Sequence, residues 1–291
     1  MSMLKAVLAI LFIVLNTLLW SFLLYPFALL KILVPAKNFR HRFSQVILFC
    51  AENWIRCNTA ALALLYDIHW SLEGLENLST ERSYLVIANH QSWVDITVLQ
   101  HVFRGRIPFL RFFLKQELIY IPLLNGAWWA LDFPFMKRYS KDYLDRHPEK
   151  RGEDLATTRR ACERFRGQPI SVLNFLEGTR FTVQKQQKQN SPYQHLLRPK
   201  VGGIAFVLEA MGEQFHSLLD VSITYPEGSL SMWEFLRGHL HEVKVRVREL
   251  PIPKDLLHGN YMENEIFRRK FQNWVQEIWE SKDSNLSEMN S

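Results

Sequence analysis

The N-terminal part of the chain is its most apolar stretch. Residues 6–30 read AVLAILFIVLNTLLWSFLLYPFALL and contain no charged side chain. A helix of about 20 apolar residues spans the hydrocarbon core of a bilayer, so this run predicts a membrane helix. The run is longer than the apolar core of a signal peptide and shows no A-x-A cleavage site, which favours an uncleaved anchor.

Basic residues are distributed unequally on the two sides of this run. Lys5 precedes it, whereas four Lys or Arg residues follow it between positions 31 and 42, which predicts that the remaining chain is cytoplasmic. A helical hairpin that enters one leaflet, bent at Pro26, is the alternative. Residues 43–70 form a second apolar segment with three charges, typical of an amphipathic helix on a membrane surface. We therefore expect residues 1–70 to be a membrane anchor with an amphipathic helix.

Shorter apolar runs alternate along the rest of the chain, each followed by polar residues. Strand patterns occur over residues 84–89, 170–175, 219–225 and 241–250, and helical spacing over residues 93–103, 151–165 and 202–211. This alternation predicts an α/β fold with a mixed central sheet covered by helices. We expect this pattern to form one folded domain over residues 71–280.

The C-terminal region and one internal segment are polar. Apolar residues recur at helical spacing between positions 266 and 279, which predicts a packing or membrane-facing helix. Residues 281–291 are predicted to be a polar tail, and residues 184–192 an exposed loop.

Composition narrows the class of partner. The net charge is +6 and the pI is about 9.2, which suits either nucleic acid or anionic lipids and substrates. The sequence has no long Lys/Arg run and no nucleic-acid motif, so membrane lipids are the expected partner and nucleic acid is not. Three cysteines, Cys50, Cys57 and Cys162, give neither a disulfide framework nor a metal-ligand spacing.

A histidine and an aspartate follow the first buried strand pattern. His90 and Asp95 lie in the segment NHQSWVD, at a predicted strand-to-helix junction. An imidazole can take a proton near neutral pH, and a carboxylate beside it can orient the ring and stabilise the cation. In isolation, a capping or core histidine explains this spacing as well.

Two further blocks carry groups suited to an anion. Residues 175–180, FLEGTR, follow a strand pattern, so Glu177, Gly178 and Thr179 could form a tight turn and Arg180 could hold a phosphate. The basic pair Lys137–Arg138 follows apolar residues and could also bind phosphate. An ordinary surface turn and a solvated strand end are the alternatives for these two blocks.

Taken together, these blocks resemble the motifs of the glycerophosphate acyltransferase family, in its lysophosphatidic acid acyltransferase branch. The N-H-x-S-x-x-D motif is matched in full, and F-P-E-G-T-R is matched except that Leu176 replaces proline. Residues 135–138, FMKR, are similar to the second motif, with Lys137 where an acidic residue is usual. Residues 219–226, LDVSITYP, stand in place of the fourth motif and depart from it. The pattern also resembles an enterobacterial subgroup of probable acyltransferases.

The resemblance implies an activity and roles for these residues. A fatty acyl group would pass from acyl-CoA or acyl carrier protein to the free hydroxyl of 1-acyl-glycerol 3-phosphate or a related lysophospholipid. His90 would be the general base and Asp95 its orienting carboxylate. Substrate-binding residues would be Lys137, Arg138, Glu177, Gly178, Thr179 and Arg180. No cofactor and no metal is implied, and the expected location is the cytoplasmic face of the cell inner membrane.

Other classes of enzyme require motifs of their own. A serine hydrolase would need G-x-S-x-G, and a nucleotide-dependent enzyme would need a P-loop or a G-x-G-x-x-G turn; the sequence contains none of these. A glycerol-3-phosphate acyltransferase, an acyltransferase for another lysophospholipid and a non-catalytic lipid-binding membrane protein remain as alternatives.

Overall fold

The computed structural model describes residues 2–34, 36–133, 135–136, 146–147, 156, 163, 167–257 and 259–290. Its helices are α1 (Ser2–Leu33), α2 (Lys37–Leu65), α3 (Val94–Phe103), α4 (Leu124–Ala130), α5 (Val183–Lys188), α6 (Gly202–Met211), α7 (Met232–Leu236) and α8 (Glu265–Asn290). Its strands are β1 (His69–Glu73), β2 (Tyr84–Ala88), β3 (Leu110–Phe112), β4 (Leu114–Lys115), β5 (Phe135–Met136), β6 (Ser171–Phe175), β7 (Ser217–Thr224) and β8 (Glu242–Leu250).

A six-stranded mixed sheet organises the part of the chain that follows the first two helices. The strand order is β1-β8-β7-β2-β6-β3; β7 and β8 are antiparallel, and the other neighbours are parallel. A separate pair, β4 and β5, is parallel. The predicted α/β class with a mixed central sheet is thus confirmed.

Helices cover both faces of this sheet. Every residue of β2 is buried, as expected for a central parallel strand. Leu85 and Ile87 belong to the apolar layer that includes α6 and α8, whereas Tyr84 and Val86 belong to the layer that includes α3. Because successive side chains alternate between faces, one continuous apolar strand supports two helical layers.

The first two helices pack against each other in antiparallel fashion. Asn16 of α1 donates to the carbonyl oxygen of Trp54 at 3.0 Å, and the rings of Phe27 and Phe43 lie 6.4 Å apart near the turn. The indole N–H of Trp54 in turn donates to Thr17 at 3.0 Å, so polar groups of an apolar helix find partners within the pair. α1 continues through Pro26 to its end at Leu33, so the hairpin does not turn at the proline.

One face of α1 remains uncovered by protein. Large apolar side chains along it are exposed, and Phe22 is 76% accessible. Among the described residues, α1 is the one helix long and apolar enough to cross a bilayer, judged by length and composition. An apolar surface of this extent is typical of contact with lipid or another protein.

A buried cation joins the helix pair to the rest of the chain. Near the end of α1, Lys31 lies 2.7 Å from a carboxylate oxygen of Asp132 and donates to the carbonyl oxygen of Ala130 at 2.8 Å. A buried ammonium requires such partners, since an unpaired charge in an apolar environment is strongly destabilising. This ion pair therefore fixes the position of α1 against the loop that follows α4.

Three segments differ from their sequence-based predictions. The amphipathic helix predicted over residues 43–70 ends at Leu65, and Trp70 belongs to β1. Within the predicted loop 184–192, a short helix forms because the Thr182 hydroxyl caps its N-terminus. Residues 281–290, predicted to be a polar tail, continue α8 and bury Lys282, Leu286 and Met289. The helix predicted over residues 151–165 lies almost entirely outside the described residues.

A buried ionic cluster explains why the polar end of α8 packs on the sheet. The Lys282 ammonium lies 2.6 Å from Asp220 of β7, and neither side chain is accessible to solvent. Arg248 of β8 binds the other carboxylate oxygen of Asp220 at 2.5 Å. Burial lowers the pKa of Lys282, and Asp220 opposes that shift. Asp220 therefore has a cation on each oxygen, and α8 is tied to two strands.

We expect Lys282→Ala to destabilise the protein by about 3–5 kcal/mol, because removing one partner leaves a buried charge poorly compensated. Lys270→Ala is the matched control on the same helix, since Lys270 pairs with Asp255 in solvent. That variant should unfold at nearly the same denaturant concentration as the wild type. Tryptophan fluorescence of the detergent-solubilised protein measures both midpoints, and equal midpoints would contradict the ionic role of Lys282.

Candidate active site

Three neighbouring strands of the sheet end at one edge. β2 is parallel to both β6 and β7, so their carboxyl ends lie side by side. His90 follows β2, Glu177 follows β6 and Tyr225 follows β7. In α/β sheets, side chains just past such strand ends form the usual position for a site. The predicted blocks at residues 89–95 and 175–180 therefore meet at one edge of the sheet.

His90 and Asp95 form a hydrogen-bonded pair. His90 Nδ1 lies 2.8 Å from Asp95 Oδ2, and Asp95 has no accessible surface. Because a carboxylate accepts hydrogen bonds, Nδ1 carries the hydrogen and Nε2 keeps its lone pair. The imidazole is 15% accessible, so one side of the pair is closed and the ring retains an open edge. This arrangement can take a proton at Nε2.

The Asp95 carboxylate accepts further hydrogen bonds from three groups. The main-chain N–H groups of Gln91 and Ser92 donate to Oδ2 at 2.7 and 2.9 Å. The Tyr225 hydroxyl donates to Oδ1 at 2.5 Å. Burial, and then the Asp95 charge, raise the pKa of Tyr225 well above its usual value, so its proton stays on the phenol. Asp95 is thus a buried anion with four donors.

Asn89 joins the segment of the histidine to β7. Its amide nitrogen donates to the carbonyl oxygen of Ile223, and its amide oxygen accepts from the N–H of the same residue, both at 2.9 Å. Asn89 is 1% exposed, so these bonds lie in the protein interior. The Asn89 amide thus extends the hydrogen bonding between β2 and β7 beyond the end of β2. These two bonds fix the position of the chain just before His90.

Glu177 contacts main-chain groups in the interior. Its Oε1 accepts from the N–H of His90 at 2.7 Å and its Oε2 from the N–H of Leu197 at 3.0 Å. Burial raises the pKa of Glu177 to about 7, although these two N–H groups act in the opposite direction. The side chain is fully buried, which differs from the substrate contact expected from the sequence. Its observed place is under the His90 main chain.

Aromatic rings border the pair. The Phe175 ring stacks on the His90 imidazole, with centroids 4.1 Å apart and planes inclined by 18°. The Arg180 guanidinium lies 5.0 Å from the centre of the exposed Trp93 ring, a distance typical of a cation–π contact. The N–H of Phe181 donates to the His90 carbonyl oxygen at 2.7 Å, which brings the Arg180 segment beside the histidine.

The turn that carries Arg180 depends on its glycine and threonine. Gly178 has φ of +66°, and a Cβ there would lie 2.9 Å from the Lys200 side chain. The Thr179 hydroxyl accepts from Lys185 Nζ at 2.8 Å, and the same ammonium donates to the Arg180 carbonyl oxygen. Gly178 and Thr179 thus shape the turn, and the exposed Arg180 side chain is left at the rim of the site.

Two of the predicted site residues, Lys137 and Arg138, lie outside the described residues. The other six are at or beside the edge formed by β2, β6 and β7. Within the described part of the chain, no group of three or more His, Cys, Asp or Glu could hold a metal ion.

Tyr225 was not identified from the sequence. It lies 130 residues from Asp95 along the chain, so local spacing could not connect the two. One signal is present in the sequence, because Tyr225 is the last residue of a buried strand pattern, and His90 and the 177–180 turn also lie where such patterns end. The strand ends make Tyr225 a candidate, but the order of the sheet decides which of them become neighbours.

A solved structure shares this fold. A crystal structure of a 1-acyl-sn-glycerophosphate acyltransferase from Thermotoga maritima superimposes with a TM-score of 0.54, covering 97% of this chain and 98% of that one, at 19% identity. At this identity, the likeness of the two structures shows a shared fold.

Sequence relatives include two curated proteins. Lysocardiolipin acyltransferase 1 of Gallus gallus is 24% identical over 285 residues, covering 91% of this chain and 68% of that protein. The 1-acyl-sn-glycerol-3-phosphate acyltransferase of Saccharomyces cerevisiae is 33% identical over 129 residues, which are 44% of this chain and 38% of the yeast protein.

A family model described as Acyltransferase matches residues 69–225, slightly more than half of the chain. The matched segment begins at β1 and ends at Tyr225, so it includes the His90–Asp95 pair, the 175–180 turn and the tyrosine. The chain belongs to the acyltransferase family.

Proposed function

We propose that the protein transfers a fatty acyl group from an acyl thioester to the free hydroxyl of a lysophospholipid. The observation that carries this proposal is the His90–Asp95 pair, in which Nδ1 is bound to a buried carboxylate and Nε2 keeps a lone pair at an accessible edge. An imidazole held in this way is a general base for an alcohol.

The reaction needs one proton acceptor and no covalent acyl-enzyme. His90 Nε2 takes the hydroxyl proton while the oxygen forms a bond to the thioester carbonyl carbon, and a tetrahedral intermediate results. The C–S bond then breaks, and the thiolate takes the proton from the imidazolium and leaves as a thiol. Asp95 stabilises the cation between these steps. The donor is acyl-CoA or acyl carrier protein, whose thioester is already activated.

A phosphate-bearing acceptor suits the rim of the site. Arg180 is exposed, and its guanidinium lies against the face of the Trp93 ring. A guanidinium can bind two phosphate oxygens at once, which orients the glycerol hydroxyl. Lys137 and Arg138 are proposed to help. The acceptor we favour is 1-acyl-glycerol 3-phosphate, since several relatives are named for it.

The proposed location is the cytoplasmic face of the cell inner membrane. Support comes from the exposed apolar surface of α1 and from the basic residues that follow it. Residues 1–70 would anchor the enzyme and residues 71–280 would carry catalysis. A lipid acceptor could then reach the site without crossing water. The enterobacterial subgroup stays a prediction.

We expect His90→Ala to reduce kcat by roughly 10²–10⁴, because a general base contributes that range. His216→Ala is the control, since His216 precedes β7 at the opposite edge of the sheet and is half exposed. Labelled acyl-CoA and lysophosphatidic acid in mixed micelles give both rates, with folding checked by circular dichroism. A rate for His90→Ala near that of His216→Ala would refute the general-base role.

For Arg180→Ala we expect the acceptor KM to rise by about tenfold or more, since a charge-assisted hydrogen bond to phosphate contributes about 1.5–3 kcal/mol. Arg180→Lys keeps the charge but loses the paired hydrogen-bond geometry, so its acceptor KM should lie between those of the wild type and Arg180→Ala. The acyl-thioester KM should stay unchanged in both variants. If the thioester KM rises instead, Arg180 binds the donor and the assignment to the acceptor phosphate fails.

Glu177→Gln should remove part of the pH dependence of stability. Folded Glu177 keeps its proton up to about pH 7, whereas the unfolded side chain loses it near 4.5. Ionising this buried group therefore costs about 3 kcal/mol as the pH rises from 4.5 through 7. A glutamine cannot ionise, so its Tm should fall less than that of the wild type between pH 5 and pH 7.5. An equal fall in both proteins would contradict this.

A further inference from the structure

We propose that Tyr225 is a positioning residue of the catalytic pair, which holds the Asp95 carboxylate and thereby sets the basicity of His90. The proposal rests on the function proposed above for His90. Its basis is the bond from the Tyr225 hydroxyl to Asp95 Oδ1 at 2.5 Å, in the interior of the protein.

The two oxygens of Asp95 have different partners. Oδ2 accepts from His90 Nδ1 and from the main-chain N–H groups of Gln91 and Ser92, all within the same turn. Oδ1 accepts from Tyr225, which follows a different strand. Asp95 has no accessible surface, so water cannot readily take the place of a lost donor. Losing the Tyr225 hydroxyl would therefore leave Oδ1 without a hydrogen bond in the interior, which is destabilising. The phenol therefore stabilises the carboxylate orientation that presents Oδ2 to the histidine.

The tyrosine is held by the sheet and does not depend on Asp95 for its place. Two residues earlier, both main-chain groups of Ile223 are bound by the Asn89 amide. Just after it, the N–H of Gly228 donates to the Tyr225 carbonyl oxygen at 2.8 Å and closes a turn. The ring is 5% exposed and packs in the apolar layer with Val94 of α3. The ring of Tyr225 is thus held by contacts that do not involve the Asp95 carboxylate.

The hydrogen bond has a predictable electrostatic effect. A donor on Oδ1 withdraws negative charge from the carboxylate, so Asp95 stabilises the imidazolium less than an unbonded carboxylate would. Removing the hydroxyl should therefore raise the pKa of His90 and protonate the base over a wider pH range. Among the described residues, the other titratable groups near the pair are Glu177 after β6, Lys282 of α8, which interacts with Glu177, and Arg180 at the rim. A change at Tyr225 leaves all three in place.

The experiment compares Tyr225→Phe with Tyr66→Phe. Tyr66 is buried in the same apolar layer, and its hydroxyl donates to the Leu236 carbonyl oxygen at 2.7 Å, away from the catalytic pair. Both variants lose one buried phenol hydroxyl and keep the ring. The measurements are the pH profile of kcat/KM, and the His90 pKa from NMR of ¹³C-labelled histidine, with the His90 signal assigned from the spectrum of His90→Gln.

For Tyr225→Phe we expect the His90 pKa and the acid limb of kcat/KM to move upward by about 0.5–1 unit. We expect kcat to fall about tenfold, as for loss of one hydrogen bond to a charged group. Tyr66→Phe should match the wild type in all three quantities. A His90 pKa that is unchanged or lower in Tyr225→Phe overturns the proposal, and so does an equal rise in Tyr66→Phe.

The NMR titration separates this proposal from the proposed function. If the wild-type protein transfers no acyl group to any lysophospholipid, the proposed function fails. The His90 pKa of Tyr225→Phe is then still measured, and it supports or overturns the role of Tyr225 independently of turnover.

Discussion

The burial of the Asp95 carboxylate is the constraint on which the site depends. An anion without solvent must be surrounded by hydrogen-bond donors, or it would take a proton and lose its effect on the histidine. Two main-chain N–H groups and the imidazole come from the turn that joins β2 to α3, and the fourth donor is Tyr225 at the end of β7. The four-residue gap between His90 and Asp95 follows from this requirement, because it places the carboxylate over the N–H groups of its own turn.

Hydrogen bonds to main-chain groups connect the site to the C-terminal helix. Glu177 binds the N–H groups of His90 and Leu197, and the carbonyl oxygen of Leu197 accepts from the Trp279 indole on α8 at 2.9 Å. A line of hydrogen bonds thus runs from the C-terminal helix to His90. The position of His90 therefore depends on the packing of α8, whose polar end is held by Lys282 in the interior.

The N-terminal helix pair is attached through polar groups rather than through apolar packing alone. Lys31 pairs with Asp132, while Asn16 and Thr17 bind groups of α2. Such contacts need particular distances and angles, so they orient α1 relative to the loop after α4 more sharply than apolar packing would.

Sequence patterns by themselves determined the α/β class and the strands around residues 84–89 and 170–175, and they made His90 and Asp95 a candidate pair. Each rests on residues close together in the chain, where strand periodicity and turn spacing act. The sheet order decided the rest. It brought Tyr225 to Asp95, turned Glu177 inward to the main chain of His90, and buried Lys282 against Asp220 in a segment that reads as a polar tail. These contacts join residues 62 to 130 positions apart, and local patterns do not encode which strand ends become neighbours.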